Sequence, residues 1–343
     1  MPGPPRRHLI ALVLSCAAVV AFRAAGAAKS SCAFDGVERV VAVGDVHGAY
    51  DRYLEILRIA GIIDVAGRWA GGRTHFVQVG DIVDRGDDSR KALDFLKRLE
   101  RDAPVGQVHI LLGNHEVARM LGDLRLTTAG EYAAFADRDS ENLRQRFVRS
   151  ANVTSDAERD ALMQKTPLGW IETRQAFGRD GEYGKWLREL PVVVTIDGFV
   201  FVHGGISPAV APLGCEAINA QVRRELTGDL DKTRAAPLSS LAARVDGPLW
   251  YRGLAQEPES FAPQVADIVA QMHARSIVIA HTVTSTGRIT TRFEGRVVEI
   301  DTGMQPAYVP DGRASALEIR KGETTALYAD RRDPVAVAGG PHQ

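Results

Sequence analysis

Five short motifs of metal-ligand residues are spread along the chain. Each contains aspartate, asparagine or histidine, and each directly follows a short apolar run. The five are Gly44-Asp45-Val46-His47-Gly48, Gly80-Asp81-Ile82-Val83-Asp84-Arg85-Gly86, Gly113-Asn114-His115-Glu116, His203-Gly204-Gly205 and His281-Thr282. Carboxylate and imidazole groups are common ligands of transition metals. These residue types therefore indicate metal-dependent chemistry, provided that the fold brings them together.

Each motif is expected to lie at the end of a buried strand. The predicted elements alternate, with strands over 37–43, 74–79, 107–112, 199–202 and 276–280 and helices over 50–60 and 89–101. This alternation indicates an α/β fold whose sheet is at least partly parallel. Open α/β sheets gather their sites at the carboxyl ends of strands, so the motifs should converge. A purely structural explanation is disfavoured, because aspartate and histidine are costly to bury without partners.

Two later stretches differ in character from the strands. Residues 121–190 are dense in charge and predict a mostly helical insertion, either as structural cover or as a cap that shapes the substrate site. Asp197-Gly198 and Glu294-Gly295 each separate two short apolar runs and predict hairpins. Residues 331–343 are rich in glycine, proline and alanine and are expected to form a flexible tail. A single domain is expected over 29–330.

The order of the motifs resembles that of the PPP-family metallophosphatases, which carry G-D-x-H-G, G-D-x-x-D-R-G, G-N-H-E, H-G-G and a final histidine. The surrounding sequence is similar to the bacterial Shewanella-like and Rhizobiales-like phosphatases in Trp186-Leu187-Arg188-Glu189-Leu190-Pro191, His203-Gly204-Gly205-Ile206-Ser207-Pro208 and Gly247-Pro248-Leu249-Trp250-Tyr251-Arg252-Gly253. The resemblance covers about 37–304 and implies a calcineurin-like β-sandwich flanked by helices. Ile300-Asp301-Thr302-Gly303-Met304 stands where eukaryotic members carry S-A-P-N-Y-C. Their regulatory-subunit and toxin binding is therefore not implied here.

The resemblance implies a centre of two divalent transition-metal ions. It assigns Asp45 and His47 to the first ion, Asp81 as a bridge between both, and Asn114, His203 and His281 to the second. Mixed imidazole and carboxylate ligands suit manganese, iron or zinc better than magnesium or calcium. Such a pair of ions can share a hydroxide that attacks phosphorus in line, without a phosphoenzyme.

Residues beside the ligands are expected to handle the leaving group and the phosphate. His115 follows Asn114 and is assigned as the general acid. Asp84 would orient its imidazole. Arg85 suits bidentate phosphate binding. Arg252 is a second phosphate-binding candidate by resemblance, with a surface arginine as the alternative.

The implied function is hydrolysis of phosphate monoesters by a protein phosphatase, acting on phosphotyrosine or on phosphoserine and phosphothreonine. A dinucleoside-polyphosphate or nucleotide hydrolase is the alternative, because similar sites serve diadenosine tetraphosphate hydrolases. A non-catalytic metal-dependent binding protein is disfavoured, since no ligand or acid residue of the pattern is missing. Covalent cysteine-phosphatase chemistry is also disfavoured. Glu38 and Gln221 stand where a C-x5-R loop starting at Cys32 or Cys215 would need arginine.

The composition is that of a soluble globular protein. The net charge, close to zero, excludes a protein-wide electrostatic field that would attract nucleic acid. The 343 residues are 45% hydrophobic and 25% charged, with a formal net charge of −1. At the N-terminus, Arg6 and Arg7 precede an apolar run over 9–22 and small residues over 24–28. This order predicts a signal peptide over 1–28 and export, to a bacterial periplasm. An uncleaved membrane anchor or a lipid on Cys16 is the alternative.

Cleavage of the signal peptide would leave Cys32 and Cys215. An oxidising compartment would allow them to form a disulfide, but the sequence leaves open whether they are paired or free thiols. The remaining histidines lie away from the motifs and are given no role; they are His8, His75, His109 and His273.

Overall fold

The computed structural model describes residues 32–228 and 239–339, together with positions 1, 3 and 236. The predicted signal peptide, 1–28, lies outside the described residues except for positions 1 and 3. Cys32–Gln343 forms one compact unit. None of the helices in the described part of the chain combines the length and apolar character that a membrane span requires.

Most of the described chain is organised around two six-stranded sheets. The strands are β1 (Ala33–Phe34), β2 (Arg39–Val43), β3 (His75–Val79), β4 (Val108–Leu111), β5 (Val193–Ile196), β6 (Phe199–Val202), β7 (Ser276–Ile279), β8 (Thr290–Arg292), β9 (Val297–Glu299), β10 (Ala316–Arg320), β11 (Glu323–Leu327) and β12 (Arg332–Pro334). The first sheet has the order β12-β11-β10-β2-β3-β4, and the second has the order β1-β5-β6-β7-β9-β8.

Helices pack on the outer faces of the sheets and fill the long connection between β4 and β5. In the described residues the α-helices are α1 (Tyr50–Ile59), α2 (Ser89–Asp102), α3 (Asn114–Met120), α4 (Ala129–Phe135), α5 (Ser140–Ser150), α6 (Asp156–Lys165), α7 (Trp170–Phe177), α8 (Glu182–Leu187), α9 (Gly214–Thr227), α10 (Gly253–Gln256) and α11 (Ala262–Gln271). The residues predicted as a helical insertion, 121–190, contain α4 to α8.

Parallel pairing dominates the middle of both sheets. Strands β2, β3 and β4 are parallel neighbours, and so are β6, β7 and β9. Their carboxyl ends therefore lie along common edges, as the predicted site requires. The two predicted hairpins are present as the antiparallel pairs β5–β6 and β8–β9. Asp197 and Gly198 have φ values of 46° and 79°, which match the positive φ that a tight hairpin turn needs.

The central strands are apolar on both faces because both faces are covered. In β2, Val40 and Ala42 pack between the two sheets, whereas Val41 and Val43 pack against the helices. Each fully buried valine contributes roughly 1.5–3 kcal/mol relative to an exposed one. A strand buried on both faces shows a continuous apolar run rather than alternation. The fold is the expected α/β sandwich flanked by helices.

The flexible tail predicted from residue 331 is wrong in its first part. Strand β12 pairs antiparallel with β11, and Val337 is buried in the layer between the sheets. The hydroxyl of Thr324 also donates to the carbonyl of Val335. An edge position tolerates Pro334, because one side of an edge strand needs no ladder partner. The glycine- and proline-rich composition therefore concealed a short ordered strand.

A disulfide joins the start of β1 to α9. Cys32 and Cys215 are bonded, with their Cα atoms 6.2 Å apart, which lies in the usual range. The backbone amide of Cys32 also donates to Glu216 at 3.0 Å. The structure therefore pairs the two cysteines that the sequence left open.

Candidate metal centre

The five predicted strand ends meet in one buried cluster. Asp45, Asp81 and Asn114 follow strands of the first sheet, while His203 and His281 follow strands of the second. The amide of His281 donates to Oδ1 of Asp45 at 3.2 Å, across 236 positions of sequence. The cluster therefore lies where the edges of the two sheets meet.

Backbone conformations that are rare for residues with side chains are concentrated in these loops. The φ angle is 47° at His47, 46° at Asp81, 70° at Asp84, 72° at Arg85 and 65° at His281. Such conformations cost of order 1–3 kcal/mol each and persist only where the surroundings enforce them. They turn the backbone sharply after each strand and direct the side chains into the cluster.

Imidazole and carboxylate groups lie close enough here to share metal ions. His47, Asp81 and His115 form one group, and Asp81, His203 and His281 form another, with the ligand atoms of each group within 4.8 Å of one another. Asp81 belongs to both groups, as expected of a bridging ligand. Its Oδ2 lies 3.7 Å from Nε2 of His47, and its Oδ1 lies 3.3 Å from Nε2 of His203.

Asp45 and Asn114 extend the ligand set on either side. Oδ2 of Asp45 lies 3.7 Å from Nε2 of His47, and Oδ1 of Asn114 lies 2.9 Å from Nε2 of His203. Nε2 of His281 is buried and has no hydrogen-bond partner among the described residues. An orphaned imidazole nitrogen beside carboxylates is a position that a cation would satisfy. The donor set therefore fits divalent transition-metal ions.

Backbone carbonyls select the ring nitrogen that faces the cluster. Nδ1 of His47 lies 2.9 Å from the carbonyl of Val83, and Nδ1 of His203 lies 2.9 Å from that of Val79. An Nδ1–H that donates to a carbonyl leaves Nε2 with its lone pair directed at the cluster.

Burial and neighbouring charges shift the pKa values of Asp45 and His47 toward their neutral forms. Burial, together with the charges of Asp301 and Asp81, raises the pKa of Asp45 well above its usual value. Burial also lowers the pKa of His47 to about 4, which favours the neutral imidazole that a metal ligand requires. Bound cations would relieve the repulsion between the buried carboxylates.

His115 and Asp84 form the pair that the sequence predicted. Nδ1 of His115 lies 2.8 Å from Oδ2 of Asp84, and its Nε2 lies 3.7 Å from Oδ2 of Asp81. Burial opposes protonation of His115, but the charge of Asp81 and the bond to Asp84 outweigh it and raise the pKa to about 9. With Nδ1 directed at Asp84, Nε2 of His115 is the ring nitrogen that faces the cluster.

A buried ion-pair network behind Asp84 was not predicted. Arg119 donates from Nε and Nη2 to Oδ1 of Asp84 at 3.0 and 2.6 Å, and from Nη2 to Glu131. The hydroxyl of Thr127 donates to the same Oδ1 at 3.1 Å. Asp84 therefore has one oxygen held by Arg119 and Thr127, and the other facing His115. Arg119 stands four residues after His115 on α3, a spacing that would have indicated a shared helix face.

Glu116 is a second residue whose role the sequence did not reveal. Its carboxylate accepts the backbone N–H groups of Asp81, Ile82 and Gly113 at 3.0, 2.8 and 2.8 Å. It therefore joins the loops after β3 and β4 without touching the ligand atoms. Gly113 has no room for a side chain, because a Cβ there would lie 2.1 Å from Oδ1 of Asp81.

Asp301 was also missed. It is buried beside Asp45, with which it shares a hydrogen bond, and it accepts the N–H of Gly303 at 3.0 Å. Asp301 comes two residues after β9, so it stands at a sixth strand end. The largely apolar strand before Asp301 was the signal available in the sequence.

Arg85 and Arg252 face a cleft of about 240 Å³ that His115 and Asn114 also line. Arg252 is half-buried, and its Nη1 donates to the carbonyl of His281 at 2.9 Å and to Oγ1 of Thr282 at 2.8 Å. Arg252 is therefore tethered at the cleft, and its phosphate-binding role stays a prediction. Both guanidinium groups border the cluster.

The histidines given no role lie elsewhere. Nδ1 of His75 lies 2.9 Å from Nε2 of His109, and the two rings stack beside the edge of Phe34. They occupy the amino-terminal ends of β3 and β4, opposite the carboxyl ends where the cluster forms. His273 follows α11, and His8 lies outside the described residues.

Comparison with known proteins identifies the family. The model of the calcineurin-like phosphoesterases matches residues 38–284, which contain all five motifs. The chain belongs to the calcineurin-like phosphoesterase family. Shewanella-like protein phosphatase 2 of Arabidopsis thaliana is 31% identical over 308 residues, covering 84% of this chain and 76% of that relative. A bis(5'-nucleosyl)-tetraphosphatase of Methylobacillus flagellatus is 25% identical over 298 residues, covering 85% and 83%.

Solved structures agree with this phosphoesterase assignment. The crystal structure of the cold-active protein-tyrosine phosphatase of a psychrophilic Shewanella species superposes with a TM-score of 0.68 at 27% identity. The match covers 89% of this chain and 82% of that one. Together with the relatives, it places this phosphoesterase in the Shewanella-like group of the PPP family. The chain is a metal-dependent phosphoester hydrolase.

Proposed function

We propose that this phosphoesterase is a phosphoprotein phosphatase. The observation that carries the proposal is the position of the His115–Asp84 pair, 2.8 Å apart and directly beside a buried cluster of metal-type ligands. Two arginines border the same cleft. One site thus combines a proton donor, cation ligands and phosphate-binding groups, which together suit the hydrolysis of a phosphate monoester.

Two divalent transition-metal ions are proposed as the resident cofactors. Asp81 would bridge them; Asp45 and His47 would hold one ion, and Asn114, His203 and His281 the other. Manganese, iron and zinc fit this donor set. When bound, such ions supply a nucleophile that is activated at neutral pH and positive charge close to the phosphoryl oxygens.

The residues of the chain perform the remaining tasks. Arg85 and Arg252 bind phosphoryl oxygens, and planar guanidinium groups suit two-point contacts with them. His115 donates the proton on Nε2 to the leaving oxygen, while Nδ1–H stays bonded to Asp84. Asp84 keeps the ring in this orientation because Arg119 and Thr127 hold its other oxygen.

The relatives support a protein side chain as the substrate, and the cleft is open enough to admit one. Leu126 is 42% exposed at the cleft wall, so the site is open to solvent on that side. Relatives named as a Shewanella-like protein phosphatase and a protein-tyrosine phosphatase cover most of this chain. The tetraphosphatase relatives make dinucleoside polyphosphates the substrate class to test against it.

A substrate panel combined with one variant tests the proposal. The metal-loaded enzyme is assayed on a phosphotyrosyl peptide, a phosphothreonyl peptide and diadenosine tetraphosphate, and we expect a phosphopeptide to have the highest kcat/KM. His115→Asn should slow hydrolysis of a phosphoseryl peptide by roughly 10²–10⁴-fold, but slow an activated aryl phosphate much less. Preferred cleavage of diadenosine tetraphosphate would contradict the substrate class. Loss of a metal ion in His115→Asn would instead make His115 a ligand.

We also propose that the protein is exported to the periplasm after cleavage of a signal peptide. The N-terminal order of arginines, an apolar run and small residues supports this, as does the disulfide, because disulfides persist in oxidising compartments. Mass spectrometry of the protein from its native host should find a mature chain that begins near Ala28 or Lys29. Cytosolic protein with an intact Met1 would contradict export.

A further inference from the structure

An aromatic side chain borders the cluster on the side of Arg85. The ring of Tyr308 lies 4.3 Å from the guanidinium carbon of Arg85 and 5.6 Å, edge to face, from the ring of His47. Tyr308 is 42% exposed, so the ring forms part of the outer rim of the site. It lies four residues after Met304, the last residue of the segment that stands where eukaryotic phosphatases carry S-A-P-N-Y-C.

A turn anchored to a metal-ligand loop holds Tyr308 in place. Nε2 of the buried Gln305 donates to the carbonyl of His47 at 3.0 Å. The N–H of Tyr308 donates to the carbonyl of Gln305 at 3.1 Å, and the N–H of Ala307 donates to Oε1 of Gln305 at 3.1 Å. The position of the ring is therefore fixed relative to the loop that carries His47.

Arg85 lacks the hydrogen bonds that restrain the other cleft arginine. Arg252 is tethered through Nη1 to His281 and Thr282. In contrast, Nε of Arg85 is buried without a hydrogen-bond partner in the described part of the chain. The stacked face of Tyr308 restrains the guanidinium without occupying any of its N–H groups. A carboxylate partner would have consumed those donors, whereas an aromatic face leaves them free for phosphoryl oxygens.

We propose that Tyr308 is a positioning residue that holds the guanidinium of Arg85 in its phosphate-binding orientation and thereby sets the affinity of the site for the phosphoryl group. The inference rests on the proposed function, in which Arg85 binds phosphate. In this proposal the aromatic face of Tyr308 positions the guanidinium, and the hydroxyl of Tyr308 has no part in it.

Three variants of the full-length, metal-loaded enzyme separate the aromatic face from other effects. Tyr308→Phe keeps the ring and removes the hydroxyl, while Tyr308→Leu keeps apolar bulk and removes the aromatic face. Arg85→Ala removes the group that is positioned. The probe is orthophosphate, measured as a competitive inhibitor of aryl phosphate hydrolysis, with metal content and melting temperature recorded for each variant.

Tyr308→Leu should raise the inhibition constant of orthophosphate and the KM by roughly 3- to 30-fold, the range expected for a cation–π contact near a desolvated site. Tyr308→Phe should restore both values to within about twofold of the wild type. In the Arg85→Ala background, Tyr308→Leu should have no further effect, because the two residues act as one unit.

Three outcomes would overturn the inference. The first is an affinity for orthophosphate in Tyr308→Leu equal to that of the wild type. The second is an undiminished effect of Tyr308→Leu in the Arg85→Ala background. The third is loss of metal in Tyr308→Leu, which would mean that the ring acts through His47. If the wild-type enzyme hydrolyses no phosphate monoester, the proposed function fails instead. The two failures are therefore distinguishable.

Discussion

Replacing Arg119 with lysine tests whether the buried network behind Asp84 serves the chemistry or only the fold. Arg119 makes two bonds to Asp84 and one to Glu131, and its side chain is fully buried. Lysine keeps the charge but presents a point ammonium instead of a planar fork, so it cannot reproduce the paired contact. One charge-assisted hydrogen bond contributes about 1.5–3 kcal/mol. We therefore expect Arg119→Lys to lower the free energy of unfolding by about that amount.

The kinetic effect should depend on the leaving group. Once Asp84 is free to rotate, His115 loses its fixed orientation, and loss of an orienting partner of this kind typically costs 10–100-fold. Hydrolysis of alkyl phosphates, which need protonation, should slow by about this factor, while nitrophenyl phosphate should be affected little. The measurement is kcat/KM for a series of monoesters, plotted against the pKa of the leaving group, which should give a steeper slope for the variant.

A matched control is Arg188→Lys. Arg188 is also buried, and it donates to the carbonyls of Leu226 and Gly184 at 2.9 and 2.6 Å. This variant should lose stability and keep the wild-type dependence on the leaving group. If Arg119→Lys slows every substrate by the same factor, or leaves the slope unchanged, then the network is structural and the argument for positioning is refuted.

Three further predictions address the metal ligands, the core and the disulfide. Asp81→Asn should lower the number of metal ions per chain, measured by atomic emission, and also lower turnover; full metal content with normal turnover would refute the bridge. Burial and neighbouring His75 lower the pKa of His109 to about 3, against about 6.5 unfolded. As pH falls, His109 is protonated near pH 6.5 in the unfolded chain but only near pH 3 in the folded protein. The stability contributed by the neutral, buried imidazole is therefore fully present above pH 6.5 and decreases as the pH falls toward 3. The free energy of unfolding, measured by urea denaturation, should decrease between pH 6.5 and 4 in both proteins. The decrease should be smaller by about 3 kcal/mol in His109→Gln than in the wild type, and an equal decrease in both proteins would contradict this prediction. Cys215→Ala should lower stability by about 2–4 kcal/mol without changing metal content, whereas unchanged stability under oxidising conditions would mean that the cysteines are unpaired.

The convergence of the proposed metal ligands could be predicted because each stands in a local pattern that the sequence displays directly. A polar residue immediately after an apolar strand is visible without any knowledge of partners, and parallel topology brings such residues together. Asp301 fits the same pattern, but Ile300 separates it from its strand. In addition, no glycine directly precedes Asp301 and no histidine follows it closely, as they do in the motif around Asp45. Its pairing with Asp45 is a long-range contact that the local sequence does not record.

The support for Asp84 could not be predicted for the same reason. Glu131 sits at the third position of a capping box that starts at Thr128, so the sequence explains it fully as a helix start. Its bond to Arg119 depends on how α4 packs against α3. Strands β10 and β11 were missed because glutamate, arginine and threonine interrupt their apolar pattern, although Lys321 and Gly322 form a tight turn with φ of 51° and 85°.

Some residues of the ligand loops have positive φ angles. At these positions, the residue that would give the highest thermostability differs from the residue that turnover requires. Asp81, His47 and His281 each hold a conformation that glycine adopts without strain. A glycine there would relax the backbone by of order 1 kcal/mol or more, yet it has no side chain and so offers no ligand atom to the cluster. Laboratory selection for heat resistance alone would therefore drift toward an inactive scaffold at these positions, and gains that preserve turnover must come from elsewhere in the chain.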